Sequence, residues 1–281
     1  MKIVNKIKKY LYFIYKNKYI PKINSPKTFN EKVLNRMRYD NNPLYVKCAD
    51  KIAVKDYVKS IIGGGYVIEN LYVSKVIDKD TLLDLAKRNG DIFVKANHNS
   101  GPVFKINQDS NNLEEVVRSI NDQLQTDYGR VHGERWYSKI EPQVLVEKSI
   151  ATDGKEVNDF KFHIFSQGKE PSKCILQIDY DRNTNHNRSF FDDNLNWLPF
   201  SMEYPCVRTQ LPVIENFQKM KELALELAKP FDYVRVDFYN IDGDIYFGEL
   251  TFAHEAGSGT FSERCYDQYL GNLWKDFRAG N

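Results

Sequence analysis

In the stretch VRVDFYNIDGDIYFGELTF, residues 234–252, two segments alternate as β-strands do, and each carries an acid. Val234, Val236 and Phe238 share one face of the first segment, with Arg235 and Asp237 on the other. In the second, Tyr246, Gly248, Leu250 and Phe252 oppose Phe247, Glu249 and Thr251. The register of the hairpin decides whether Asp237 and Glu249 meet. A two-residue Asp242-Gly243 turn sets Asp237 across from Gly248, whereas a three-residue Asp242-Gly243-Asp244 loop sets it across from Glu249. A longer loop pairs Arg235 with Glu249 as an ordinary cross-strand ion pair. Facing carboxylates repel unless a cation lies between them. Mg²⁺ accepts one or two carboxylates and completes its octahedron with water and substrate phosphate. Arg235, on the same face as Asp237, would then point at the anion that the metal holds. The competing reading is one wet face of an ordinary sheet.

Other candidates are scattered along the chain. Lys95 precedes Asn97, His98, Asn99, Ser100 and Gly101, the composition of a turn whose backbone N–H groups could cover a phosphate, although Asn, Ser and Gly are common in plain surface turns too. The run QVLVEKSI ends an apolar strand on Glu147, Lys148, Ser149 and Ile150. This segment could read an adenine edge through its backbone, or simply be a strand end. Lys161 is either a phosphate ligand or a snorkelling lysine, and His163 reads as a sheet histidine. The spacing of the five histidines excludes HExxH-type zinc sites. No GxSxG motif and no local signature for a catalytic thiol is present.

The elements that must position these residues follow from periodicity and caps. Residues 25–37 form a helix opened by a capping box, Thr28 with Glu31. After the Asn41-Asn42-Pro43 break, a second helix is expected over 44–61, carrying Asp50, Lys51 and Lys55. A β-rich stretch over 66–76, a helix over 80–88 and a strand–turn–strand unit over 92–106 come next. Leu113, Val116, Val117, Ile120 and Leu124 then fall at helical spacing. DFKFHIF, residues 159–165, alternates and puts Asp159, Lys161 and His163 on one face. The Asn- and Asp-rich residues 179–196 are expected to be a long binding loop, and a helix over 213–229 leads into the acid-bearing hairpin.

With 281 residues, 42% of them hydrophobic and 28% charged, the chain can bury a core and form two or three lobes. A net charge of +2 argues against a general polyanion binder, and nucleic acid is not expected as a partner. The charge is nonetheless uneven. Lys2, Lys6, Lys8, Lys9, Lys16, Lys18, Lys22 and Lys27 all precede the first acid, Glu31, and are interleaved with Tyr10, Leu11, Tyr12, Phe13, Ile14, Tyr15, Tyr19 and Ile20. Such a segment could lie on an anionic membrane surface, or form a helix whose lysines face water while its aromatics pack on the protein body. It is too short in apolar residues for a signal peptide or a membrane span. Cys48, Cys174, Cys206 and Cys265 lack CxxC spacing, which points to reduced thiols in the cytoplasm.

The order of these parts resembles the ATP-grasp ligases, and more closely the TupA-like ATP-grasp family of teichuronopeptide and capsule biosynthesis. The likeness runs through SPKTFNEK (25–32), DKIAVKDYV (50–58), FVKANHNSG (93–101), VLVEK (144–148), DFKFHIF and residues 234–252, the last being the most specific. It implies an α+β, ATP-grasp fold: two α+β lobes clasping ATP, with a reduced helical N-terminal region. The expected division is 1–43, 44–146 and 147–281. The resemblance also implies ATP phosphate contacts from Lys95 and Lys161, covered by Ser100 and Gly101. Glu147, Lys148 and Ile150 would form the adenine hinge, Asp237 and Glu249 would bind Mg²⁺, and Arg235 would support the transferred phosphate or an oxyanion. Thr251 stands where an Asn is common among the metal ligands, and Lys55 where Arg is expected. The candidate substrate-binding residues are Lys51, Arg182, Arg188 and Gly257, the two arginines from charge alone.

The implied reaction is ATP-dependent joining of a carboxylate to an amine through an acyl phosphate. The implied partners are an amino acid or small amine and a carboxylated sugar or polysaccharide precursor. Two alternatives stand beside it. A sugar-nucleotide glycosyltransferase would use a DxD pair, here Asp242-Gly243-Asp244. A non-catalytic membrane-surface or nucleic-acid-binding module would be built on the N-terminal lysines.

Overall fold

The computed structural model describes residues 2–151, 158–181, 184–208, 211, 214–275 and 277. The chain forms two compact units. One comprises Met1–Asn41, Asp159–Gly243 and Leu250–Asn281, and the other Asn42–Asn158 and Asp244–Glu249. Helices α1 (Lys2–Asn17) and α2 (Phe29–Tyr39) thus group with the later part of the chain.

The second unit begins with α3 (Pro43–Ala49) and α4 (Ala53–Ile62). Where a single helix over 44–61 was expected, Asp50 is extended and ends α3. Its carboxylate accepts from Ile52 N (2.8 Å) and from Asn97 Nδ2 (2.9 Å), while Lys51 N donates to Asn97 O (3.1 Å). The Asp side chain competes with helical bonding here, and the break turns Lys51 toward the 97–101 loop. The unit continues with β1 (Asn70–Ser74), α5 (Lys79–Asn89), β2 (Ile92–Ala96), β3 (Phe104–Ile106), α6 (Leu113–Leu124), α7 (Tyr128–His132) and β4 (Val144–Lys148). Its strands form an antiparallel sheet in the order β1-β4-β2-β3. Ile92, Val94, Ala96, Val144 and Val146 bury one face against α5 and α6. Alternation sends Phe93, Lys95, Leu145 and Glu147 to the other face. The expected boundary at residue 147 falls inside β4.

The first unit continues through β5 (Asn158–Gln167), β6 (Glu170–Tyr180), β7 (Asn187–Phe191), β8 (Trp197–Leu198), α8 (Phe217–Ala228), β9 (Tyr233–Ile241) and α9 (Arg264–Leu273), while β10 (Asp244–Thr251) is divided, Asp244–Glu249 grouping with the second unit. The six-stranded sheet has the order β10-β9-β5-β6-β7-β8. Residues 179–196 are therefore not a long loop. They hold the end of β6, all of β7 and its turn to β8, with Ser189, Phe190 and Phe191 buried. Phe162 packs on Phe217 of α8 and on Phe238 (ring centroids 5.9 and 6.3 Å). On the opposite face Phe29 of α2 meets Tyr233 (5.1 Å), Phe165 (6.1 Å) and Trp274 (6.1 Å).

The capping box of α2 is present as expected. Arg36, fully buried in α2, donates to Tyr233 O (2.9 Å) and Phe252 O (3.1 Å) and pairs with Asp232. Gly271 in α9 lies against the entry to α2, where a Cβ would collide with Lys27 O and stand 2.8 Å from Phe29 N. Backbone cannot yield as a flexible side chain can, so Gly271→Ala is expected to destabilise the protein by about 1–3 kcal/mol, read as a lowered urea midpoint.

Candidate active site on two sheet faces

In the second unit the site residues follow from sheet register. Phe93 pairs with Glu147 and Lys95 with Leu145, so Lys95 and Glu147 are diagonal neighbours on one face. The Glu147 carboxylate is buried and pairs with both Lys95 and Lys55. Lys55 reaches it from α4 and also donates to Ile68 O (2.6 Å) and Asn70 Oδ1 (2.5 Å). Burial alone would push the Glu147 carboxyl up, but the two ammonium groups reverse this and hold it below its usual range. Lys148 is exposed and Ile150 half-buried, while Ser149 N donates to Asp91 O (2.9 Å). The 147–150 segment is thus tied to the start of β2 before it leaves the sheet.

The turn after Lys95 is braced rather than loose. Asn97 Nδ2 donates to Glu141 O (3.0 Å) as well as to Asp50, and Asn97 Oδ1 accepts from Gln143 N (2.8 Å). Asn99 Nδ2 donates to Gln123 Oε1 (2.8 Å), and Gly101 N donates to Asn99 Oδ1 (3.2 Å). A Cβ at Gly101 would stand 2.7 Å from Asn99 Nδ2 and 2.8 Å from Gln123 Oε1, side-chain ends that would have to shift to admit it. Ser100 is exposed at the tip, and His98 is buried with its Nε2 3.2 Å from Thr126 O. Lys51 donates to Asn99 O. Burial lowers the Lys51 ammonium to about 8; Glu249 opposes that shift and Lys95 adds to it. Lys51, Lys95, Ser100, Gly101, Glu147 and Glu249 all belong to this unit.

In the first unit, Lys161, Arg188, Arg235 and Asp237 share the sheet face opposite α8. Lys161 is paired with Gln177 in register and Asp179 with Arg188, which carries a line of charge across β5, β6 and β7. Asp179 is the hub. It accepts from Arg188 Nε (2.6 Å), His186 Nε2 (3.2 Å) and Gln177 Nε2 (3.1 Å), and lies 3.3 Å from Lys161 Nζ. Lys161 also pairs with Asp159. Burial would push the Asp179 carboxyl up, yet Arg188 and Lys161 hold it well below the ordinary carboxylate range. Periodicity in β6 puts Asp179 on the face of Gln177, a signal in the sequence that pointed to this residue. Arg188 meets carboxylates of its own chain, Asp179 and, through its NH1, Glu255 Oε1 (2.8 Å). Arg182 lies outside the described residues.

On β9, Arg235 grips Asp237 through Nε–Oδ1 (2.7 Å) and NH2–Oδ2 (2.6 Å), and its NH1 donates to His254 Nδ1 (2.8 Å). Because arginine only donates, His254 is neutral at Nδ1, in accord with its pKa being driven far down by burial and by the neighbouring His163 and Arg235. His163 Nε2 donates to Gln177 Oε1 (2.9 Å), since that amide's NH₂ is spent on Asp179, and Nδ1 accepts from Tyr233 OH (2.9 Å). Burial pushes His163 down to about 3, with Arg235 adding to the shift. An unfolded histidine takes its proton near 6.5. The unfolded chain therefore holds the extra proton throughout the window from about 6.5 to about 3, and stability falls as pH falls through it. Each such histidine contributes a slope of about 1.4 kcal/mol per pH unit in this window. His163→Gln is expected to show a shallower loss of urea midpoint between those limits than the natural protein; equal slopes would contradict this.

The hairpin turn differs from the three-residue loop that would set the two acids opposite. Asp242 (φ 49°) and Gly243 (φ 93°) alone join β9 to β10. Two successive left-handed residues suit the strand twist. An unbroken ladder from this turn would put Asp237 across from Gly248. Burial along β10, however, slips by one residue: Ile245 and Phe247 are buried, then Leu250, with Glu249 and Thr251 half-buried. An extra residue in one strand produces such a slip. The DxD sequence of a glycosyltransferase reading is here the turn itself and the first residue of β10.

Gly257 ends a run of three left-handed residues, Glu255 (φ 48°), Ala256 (φ 48°) and Gly257 (φ 67°). A Cβ on Gly257 would stand 2.9 Å from Leu34 Cγ and 3.0 Å from Asn30 O, so this glycine is packed against α2. Among the described residues no group of three or more His, Cys, Asp or Glu side chains is arranged to hold a metal ion. Mg²⁺ needs fewer protein ligands than that. The donor types fit: Asp237 and Glu249 offer carboxylate oxygens and Thr251 a hydroxyl, the hard oxygen ligands that Mg²⁺ takes. The four cysteines carry free thiols.

Residues 31–275 match the TupA-like ATPgrasp family, and the chain belongs to it; its fold is the ATP-grasp fold. No curated protein matches the sequence. Among solved structures the chain is similar to the D-alanine–D-alanine ligase of Helicobacter pylori, with 16% identity, 82% of this chain and 61% of that chain covered, and a TM-score of 0.46. It is also similar to the D-alanyl-alanine synthetase A of Vibrio cholerae (11%, 82% and 65%, TM-score 0.45). A third is the ATP-grasp ligase PsnB solved with a precursor variant, Mg and ADP (12%, 80% and 58%, TM-score 0.41). The chain spans about three fifths of the length of these proteins.

Proposed function

We propose that this protein is an ATP-dependent carboxylate–amine ligase. A substrate carboxylate oxygen attacks the γ-phosphorus of ATP and ADP leaves. The amine nitrogen then attacks the acyl carbon, loses a proton, and expels phosphate to leave an amide. The observation that carries this reading is the Arg235–Asp237 pair, fixed at both ends by buried groups on a face that also bears Lys161. A guanidinium immobilised in this way can stabilise developing oxyanion charge without reorganising during the reaction. Family membership supports ATP as co-substrate.

In this reading Lys95 and Lys161 neutralise phosphoryl oxygens, the braced turn with Ser100 and Gly101 covers the phosphates, and the backbone of Glu147, Lys148 and Ile150 receives adenine. Asp237, Glu249 and Thr251 are the residues to hold Mg²⁺; the ion, when bound, would withdraw charge from the phosphates. No protein nucleophile is needed. Lys51 supplies a cation near Glu249, and Gly257 shapes the loop beside α2. Arg182 and Arg188 are candidate contacts for a substrate carboxylate, Arg188 by exchanging the half-exposed Glu255 for it. The proposed carboxylate is a uronic acid of a surface polysaccharide or its precursor, and the amine an amino acid or small amine, with the reaction in the cytoplasm.

Hydroxylamine provides the test, because it captures acyl phosphates as hydroxamates. ADP release that requires both ATP and a uronic acid, with hydroxamate formed in step, is the expected result. Sugar transfer from a sugar nucleotide with no ADP formed would overturn the reading.

A further inference from the structure

Helix α1 is held to its unit along one side. Phe13 is buried against Tyr19 (ring centroids 5.1 Å), Lys16 pairs with Glu203 (2.7 Å), and Asn17 Nδ2 donates to Ser258 O (3.4 Å). The other side is apolar and faces solvent. Leu11 is 58% exposed and Tyr15 72% exposed, one helical turn apart, with Tyr12 also exposed beside them and Ile20 66% exposed just beyond the helix. The sequence continues this spacing toward the N-terminus with Val4 and Ile7. A helix of a globular protein ordinarily turns such a stripe inward. Here the expectation that the aromatics pack on the protein body holds for Phe13 and fails for Tyr12 and Tyr15.

We infer that this stripe docks on an anionic lipid surface. Charge complementarity selects that occupant, because the first 30 residues contain eight lysines and no Asp or Glu. Each lysine near such a surface contributes about 1 kcal/mol, and the exposed Leu, Tyr and Ile side chains enter the interfacial layer, where amphipathic rings are at home. Lys18 already sits over the Tyr15 ring (4.5 Å) and Lys16 over Tyr12 (5.6 Å), so ring and charge would arrive together. A second copy of the chain is disfavoured as occupant, since apposed α1 helices would bring two lysine-rich segments together. Among the described residues no helix is long and apolar enough to cross a membrane. The docking is therefore peripheral, reversible and sensitive to salt. It does not depend on the ligase reading.

The test is co-sedimentation of the full chain with phosphatidylcholine vesicles containing roughly 30% phosphatidylglycerol, and with phosphatidylcholine alone. The natural protein should bind the anionic vesicles, release in about 0.5 M salt, and partition at least about tenfold less after the double substitution Leu11→Ser and Tyr15→Ser. Both positions are exposed, so the substituted chain should keep its circular dichroism and its ATP turnover. No sedimentation with either vesicle, equal binding by the substituted chain, or a concentration-dependent dimer that the substitutions dissolve would each overturn the inference.

Discussion

Glu249→Ala is expected to lower ATP-dependent ADP formation by about three orders of magnitude, the scale of losing a metal ligand and the electrostatic stabilisation it organises. Glu249 is half-buried on β10, beyond the point where the burial alternation slips, and it is the acid that most opposes the lowering of the Lys51 ammonium. An acid placed there for structure alone would reveal itself in stability rather than turnover. Folding stability should change by no more than about 1 kcal/mol, so urea midpoints measured beside the assay separate the two roles. Turnover at the natural rate would remove Glu249 from the metal site.

Glu147→Ala carries the largest expected effect on stability. This carboxylate takes up the charge of two lysines, Lys55 and Lys95, on the sheet face opposite α5 and α6. Its removal leaves two ammonium groups close together with nothing between them. Losing one partner of a buried ion pair costs about 3–5 kcal/mol, and the urea midpoint should fall accordingly. Lys55→Met in the Glu147→Ala background should recover part of the loss, since one of the repelling charges is then gone. A midpoint within experimental error of the natural protein would show that the lysines relax into solvent. The same pairing explains why Lys at position 55 suffices where Arg was expected: the site asks for contacts to Ile68 O, Asn70 and one oxygen of Glu147, not for a planar fork.

Much of this was legible in the sequence because local chemistry and tertiary structure agreed. The α2 capping box, the stripe of α6 and the alternation in β5 each followed from residues that do locally what the fold asks of them. The misses share a cause in long-range contacts. Residues 44–61 carry a helical pattern, but Asp50 exchanges helical bonding for Asn97, far away in the chain. Strand β7 is preceded by Asn, Asp and Arg, a loop composition, and it forms because Asp179 pairs with Arg188 across the sheet. The outward apolar side of α1 was hidden for the opposite reason: periodicity shows that a stripe exists, not which way it faces. In the site, the residue types of Lys95, Lys161, Arg235 and Asp237 were visible from spacing and family resemblance. That Arg235 meets His254, that Lys161 meets Asp179 and that Lys55 shares Glu147 with Lys95 emerges only when segments distant in the chain come together.

The central claim is that the acids of β9 and β10 serve a magnesium–nucleotide complex. Calorimetric titration of a non-hydrolysable ATP analogue, with and without Mg²⁺, on the natural protein and on Glu249→Ala tests it most directly. Binding that requires Mg²⁺ and weakens at least about tenfold on substitution, a cost of about 1.4 kcal/mol or more, is the predicted result. Absence of binding under every condition, or binding of equal strength with and without Mg²⁺ in both proteins, would contradict it.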